Sequence, residues 1–110
     1  MKIVYHKGLT QKSWFSKSIF EQMANVGAEI GRTINWRKKD KEYSRLALER
    51  GLELLDLTIA DPKNTIRLKE LCKLREILVD YFIYDNIYKT SDEFLNNYFY
   101  NFNYAARVNR

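Results

Sequence analysis

The side chains best suited to chemistry in this 110-residue chain are few. Glu49, Glu53 and Asp56 fall at helical spacing on one face of a segment that reads as a helix. Carboxylates on facing helices can hold a divalent metal, but Glu42 and Arg45 share the face, and such a charged stripe is ordinarily the solvated side of a helix. His6 is the single histidine and Cys72 the single cysteine. Neither belongs to a zinc-ligand spacing or to a Ser–His or Cys–His pair, and no glycine-rich phosphate loop is present. Cys72, among apolar neighbours, reads as a buried small hydrophobe. No catalytic, metal or cofactor residue is assigned, and the expectation is a protein that is not an enzyme.

Positive charge and aromatic rings are the more distinctive chemistry. The formal net charge is +5, and it is uneven: residues 1–50 hold 11 basic and 5 acidic side chains, residues 51–110 hold 8 and 9. Basic groups gathered on one surface bind phosphate backbones. Eight Tyr, six Phe and two Trp are more than a small core can cover, with Trp14, Phe15, Trp36, Tyr88, Tyr100 and Tyr104 the hardest to bury together. Surplus exposed aromatics mark an interface.

Helices must position these groups. A hydrophobic content of 45% with only four Gly and one Pro predicts a cored all-α domain. Residues 1–12 read as an arm, with Lys2–His6 as a short extended piece ended by Gly8; residues 13–110 read as an antiparallel up-down-up-down four-helix bundle with helices at about 14–37, 41–60, 62–84 and 91–107. Ser18 and Glu21 form a capping box, and Ile19, Met23, Val26 and Ile30 make the first apolar seam. Gly27 and Gly31 beside it, with Ala24 and Ala28, predict close approach of a backbone or of another subunit. Asp40 caps the second helix, which has two apolar seams and so two neighbours; Asp61-Pro62 starts the third. On the third helix Leu68, Leu71, Leu74, Leu78, Tyr81 and Phe82 point inward and Lys69, Lys73, Glu76 and Asp80 outward. Thr90 and Glu93 form the last capping box, ahead of a seam of Phe94, Tyr98 and Phe102 flanked by Leu95 and Phe99. No apolar run approaches the roughly 20 residues of a membrane helix, the N-terminus lacks a signal-peptide pattern, and the lone cysteine fits a reducing compartment. The protein is expected in the cytoplasm, without membrane contact.

This topology sorts the charges by end. At one end Arg37, Lys38, Lys39 and Lys41 face Asp80, Asp85, Asp92 and Glu93, and much of the charge should cancel. The other end gathers Lys12, Lys17, Lys63, Arg67, Arg107 and Arg110, and is the expected nucleic-acid surface. Gly27, Gly31, Trp14 and Trp36 are the expected self-association surface. Arg75 falls inside an apolar arc and needs a carboxylate such as Glu29 or Glu53.

The blocks from Ser18 to Gly27 and from Leu55 to Asn64 look like those of a group of short uncharacterised prokaryotic proteins. In size, charge and helix pattern the chain resembles the ribosomal RNA intervening-sequence proteins and the accessory variability determinant (Avd) of diversity-generating retroelements. The second resemblance implies a ring-forming bundle that binds a reverse transcriptase and its RNA. The expected function is a homo-oligomeric accessory protein that binds nucleic acid, RNA in particular, as partner of another enzyme. The alternative is a protein-interaction scaffold whose basic groups only solubilise it.

Overall fold

Two helix-start signals follow each other closely near the N-terminus, and the chain obeys both. In the computed structural model, which describes residues 3–108, α1 spans Gln11–Phe15 and α2 spans Ile19–Trp36. Thr10 caps α1: its hydroxyl accepts from the Ser13 N–H at 3.1 Å, and Ser13 Oγ accepts from the Thr10 N–H at 3.2 Å. Ser18 then accepts from the Glu21 N–H at 3.1 Å and starts α2. An N-cap residue takes non-helical backbone angles, and Ser18 is extended. The single helix expected over 14–37 is therefore interrupted between Phe15 and Ile19, and the arm gives way to helix at Gln11, inside its expected bounds. The arm is irregular, with no strand at Ile3–His6.

The remaining elements are α3 (Lys41–Ala60), a 3-10 helix (Pro62–Arg67), α4 (Leu68–Ile83) and α5 (Asp92–Val108). Asp40 caps α3 through the Tyr43 N–H at 3.1 Å. Asp61 accepts from the Lys63 N–H at 3.1 Å, with Pro62 in the first helical position. Ser91, not Thr90, caps α5, accepting from the Phe94 N–H at 3.1 Å. Thr90 is held in the preceding loop, where Asn86 accepts from its N–H at 2.8 Å and donates to its carbonyl at 3.0 Å. Asp80, expected to face outward, is buried under that loop and accepts from the N–H groups of Ile87 (2.9 Å) and Tyr88 (3.0 Å). Covered backbone donors need an acceptor, and the loop takes the last carboxylate of α4.

The four long helices form an antiparallel all-α bundle. Ser44 of α3 donates to the Thr33 carbonyl of α2 (2.7 Å), Arg37 of α2 reaches Asp92 of α5, Arg75 of α4 reaches Asp56 of α3, and Tyr98 of α5 donates to Glu70 of α4 (2.7 Å). The core lies between them: Met23, Val26 and Ile30 from α2, Leu48, Leu54, Leu55 and Leu57 from α3, Leu71, Leu74 and Leu78 from α4, and Leu95, Phe99 and Phe102 from α5. Two placements differ from expectation. Phe94 is exposed, while Leu95 and Phe99 are buried and Tyr98 packs partly buried against the core; Leu68 is exposed at the first turn of α4. Cys72 is exposed as well, because α4 buries only the narrow seam of Leu71, Leu74 and Leu78 and Cys72 points aside from it. Among the described residues, no helix is long and apolar enough to cross a membrane.

Glycines set how closely α2 meets its neighbours. A Cβ on Gly27 would lie 2.8 Å from Phe99 Cβ, and one on Gly51 would lie 3.2 Å from Glu29 Cβ and Ile30 Cδ1. Gly27 is thus explained by packing within the chain, not by a second subunit, whereas Gly31 faces open space. Gly27→Ala should lower unfolding free energy by about 1–2 kcal/mol, displaced packing outweighing the gain in helix propensity. Gly31→Ala should raise it by up to about 1 kcal/mol. Urea denaturation of both variants decides this, and a Gly27→Ala protein as stable as the parent would contradict the packing account.

Candidate nucleic-acid interface

The three α3 carboxylates diverge to separate partners. Glu53 collects the arm: it accepts from the N–H groups of Val4 (2.7 Å), Tyr5 (3.1 Å) and His6 (3.0 Å) and lies 2.9 Å from His6 Nδ1. Burial pushes the Glu53 carboxyl up, but these donors outweigh it and hold the group below the usual carboxylate range. Glu49 accepts from the Tyr5 hydroxyl (2.5 Å) and from Arg45 (2.7 Å). Asp56 takes Arg75 through two hydrogen bonds of 2.6 and 3.2 Å. Arg75 therefore has the ion pair it needs, but not with Glu29 or Glu53. Glu29 is buried on the arm side of the bundle, 3.0 Å from Arg32 and 3.4 Å from Arg50.

At the expected basic end, Lys63 and Arg67 are engaged within the chain. Lys63 donates to the Phe15 carbonyl at 2.8 Å and is ion-paired to Asp61. Asp61 is buried, and it accepts from Gln22 Nε2 at 2.8 Å. Gln22 also donates to the Trp14 carbonyl (3.0 Å) and accepts from Asn64 (2.8 Å), while the Trp14 indole donates to Thr58 Oγ1 (3.2 Å). Trp14, expected at an interface, is 2% exposed and belongs to this network and the core. Arg67 sits 3.4 Å from Glu70, its guanidinium 5.7 Å from the Phe102 ring centre. Lys12 and Arg107 are exposed and Lys17 half-buried. Arg110 lies outside the described residues.

At the opposite end the expected cancellation centres on Asp92, which pairs with Arg37 and whose carboxyl is also lowered by the charge of Lys38. The Arg37 guanidinium binds both oxygens of Asp92 (2.9 and 2.7 Å), which also accepts from the Tyr81 hydroxyl (2.6 Å). Asp80 is occupied by its loop. Lys38, Lys39 and Lys41 make no ion pair among the described residues. Beside them runs a ladder of alternating cations and rings across the α2–α3 hairpin. The Trp36 and Tyr43 rings meet at 4.8 Å between centres; Lys39 lies 5.7 Å from the Trp36 ring and Arg50 lies 5.8 Å from the Tyr43 ring. Trp36 is 39% and Tyr43 38% exposed, so both rings are part of the surface. The sequence carried a signal for this: Trp36 and Lys39 are one helical turn apart, and Tyr43 and Arg50 are two turns apart on one helix.

A groove of about 500 Å³ lies between α2, α3 and α4, on another face of α3 from Tyr43 and Arg50. Leu48, Leu52 and Phe82 line it, and Arg37, Lys41 and Arg45 stand at its edge. Its apolar floor suits a flat ring; Glu49 also lines it, and Arg37 and Arg45 are already paired with Asp92 and Glu49, which leaves Lys41 as the lining cation without an ion pair among the described residues.

Three carboxyls are held below their usual range although burial pushes each up: Glu53 by the arm, Asp61 chiefly by Lys63 and Gln22, and Asp92 by Tyr81 and Arg37. Folded values below unfolded ones mean that the unfolded chain takes up protons first as pH falls. The stability these groups contribute is complete above the unfolded values, near pH 4, and is lost below them. Unfolding free energy should therefore decline as pH drops from about 5 to 3. Asp61→Asn should lower it by about 1–3 kcal/mol at pH 7 and flatten the acid slope. Denaturant curves at several pH values test this; an unchanged slope in the variant would contradict it.

Compared with known proteins, the chain matches no family model, no curated protein and no solved structure.

Proposed function

We propose that this protein is a non-enzymatic nucleic-acid-binding module that engages single-stranded RNA through the tip of the α2–α3 hairpin and works as a self-associating accessory to a partner enzyme. The observation that carries the reading is the Lys39–Trp36–Tyr43–Arg50 ladder beside Lys38 and Lys41; none of these three lysines makes an ion pair among the described residues. Stacking on exposed rings is sequence-tolerant, and lysines facing solvent exchange counterions for phosphates. Trp36, Tyr43 and the lysines all belong to the α2–α3 hairpin, and Lys41 also lines the groove between α2, α3 and α4. The site moves away from Lys63 and Arg67, whose charge is already neutralised within the fold. In this reading catalysis belongs to the partner, the role implied by the resemblance to reverse-transcriptase accessory bundles. A protein-interaction role is the second reading, and the α4–α5 loop favours it: Ile83, Tyr84 and Ile87 are exposed on a segment that Asp80 and Asn86 hold in place.

Fluorescence anisotropy with a labelled oligoribonucleotide tests the proposal. Affinity should fall steeply between about 50 and 200 mM salt. Replacing Lys38, Lys39 and Lys41 by Ala should reduce the logarithmic salt slope by about 2, at about 0.7 per phosphate contact on a single strand. Trp36→Ala should weaken binding about tenfold, the loss of one stacked base. Lys63→Ala and Arg67→Ala should leave the slope nearly unchanged. Absence of binding at low salt would dispose of the nucleic-acid role.

A further inference from the structure

The outer face of α5 is rich in Tyr and Asn and poor in charge. Between Glu93 and Arg107 the chain has no charged residue, although 30% of the whole sequence is charged. At 100° per residue, Glu93, Asn96, Asn97, Tyr100, Tyr104 and Arg107 share one exposed face, opposite the buried Leu95, Phe99 and Phe102. Tyr100 and Tyr104 are each 57% exposed. Tyr and Arg are enriched at interface centres and Lys, Glu and Asp depleted. Tyr and Asn together give contact area and adaptable hydrogen bonding at low entropy cost.

The order of residues on this face selects the partner. Glu93 and Arg107 are equally far from Tyr100 along the helix, and neither makes an ion pair among the described residues. Two copies of α5 packed antiparallel across a two-fold axis at Tyr100 therefore bring Glu93 of each copy to Arg107 of the other. The same operation sets Asn96 against Tyr104 and Tyr100 against itself. A self-complementary patch is what an isologous dimer requires. The neighbouring surface of α2 permits close approach: Ala24 borders a cleft of about 370 Å³ shared with Tyr100, Asn103 and Arg107, and Gly31 further along α2 meets open space.

We infer that the Tyr- and Asn-rich face of α5 is a homodimer interface, closed by two symmetry-related Glu93–Arg107 pairs in an antiparallel arrangement. The inference supplies the surface for the self-association in the proposed function and rests on that part of the reading alone. It takes Arg107 from the expected phosphate-binding set and makes it an interface residue.

Sedimentation velocity on the full chain at about 50 µM should give the mass of two chains, a concentration well above the Kd of a standard-size interface. Tyr100→Glu sets two carboxylates against each other on the axis and should yield a monomer with unchanged circular dichroism. Glu93→Arg and Arg107→Glu should each weaken the dimer by about tenfold or more, and the double swap should restore it to within about threefold. Restoration identifies the antiparallel register, since no parallel pairing brings these residues together. A monomer at every concentration would overturn the inference. So would a dimer indifferent to Tyr100→Glu, or a monomeric chain whose Tyr100 is protected by an oligonucleotide. RNA binding measured on the Tyr100→Glu monomer keeps the two proposals apart, because the ladder is intact in that variant.

Discussion

A buried carboxylate at the base of the bundle, Asp61, fixes where the chain's elements meet. It ends α3, starts the 3-10 helix through the Lys63 N–H, and reaches Gln22 on α2. Through Gln22 and Thr58 the same network takes in Trp14 on α1 and Asn64 on the 3-10 helix. An isolated buried carboxylate would be costly. Here the charge of Lys63 and the amide donors satisfy it, and among the described residues no buried side-chain nitrogen or oxygen lacks a partner. A network of this kind is worth keeping only if complete, so it ties four elements to one geometry. It also engages the ammonium of Lys63, a residue that remains exposed, in an ion pair within the fold.

With the base fixed, α2 sets the spacing of the rest. Gly27 admits the Phe99 ring from α5, and Gly51 admits Glu29 and Ile30 of α2 against α3. Two close approaches on different sides make α2 the central helix, and its C-terminal end leads directly into the hairpin that carries Trp36 and Tyr43. The Trp36–Tyr43 ring pair spans the turn between α2 and α3, so its spacing follows from how closely the two helices pack. The tip that carries this ring pair is built directly on the two core helices.

Most of the local code was legible in the sequence. The caps at Ser18, Asp40 and Asp61 and the seam of Met23, Val26 and Ile30 depend on neighbours within four residues, and they stand where the pattern put them. The Thr10 cap escaped because its reciprocal partner is Ser13 instead of the usual Glu or Gln. The α5 seam was misjudged because Phe94, Tyr98 and Phe102 repeat as regularly as Leu95, Phe99 and Phe102; only the missing side chain at Gly27, a long-range fact, decides that Phe99 turns inward. Asp80 was placed by the helical wheel alone, and the wheel does not know that a loop will fold over it. For the candidate site the difficulty was of the same kind. Residue types located the cations, but which of them retain free charge depends on tertiary partners such as Asp92 for Arg37 and Asp61 for Lys63.

The two surfaces argued here are geometrically related. Arg37 meets Asp92, so the α2–α3 tip lies at the N-terminal end of α5. An antiparallel α5 pair therefore points its two tips in opposite directions, separated by at least the length of α5, about 25 Å for 17 residues at 1.5 Å each. Two ladders that far apart cannot crowd onto one short stretch of nucleic acid. They suit two segments of one strand joined by a loop, or two strands held apart, and linking two weak sites in this way raises the overall affinity through effective concentration. The low charge of the α5 face is consistent with this division: a dimer surface lined with lysines would compete with the tips for the same phosphates, and a face of Tyr and Asn does not.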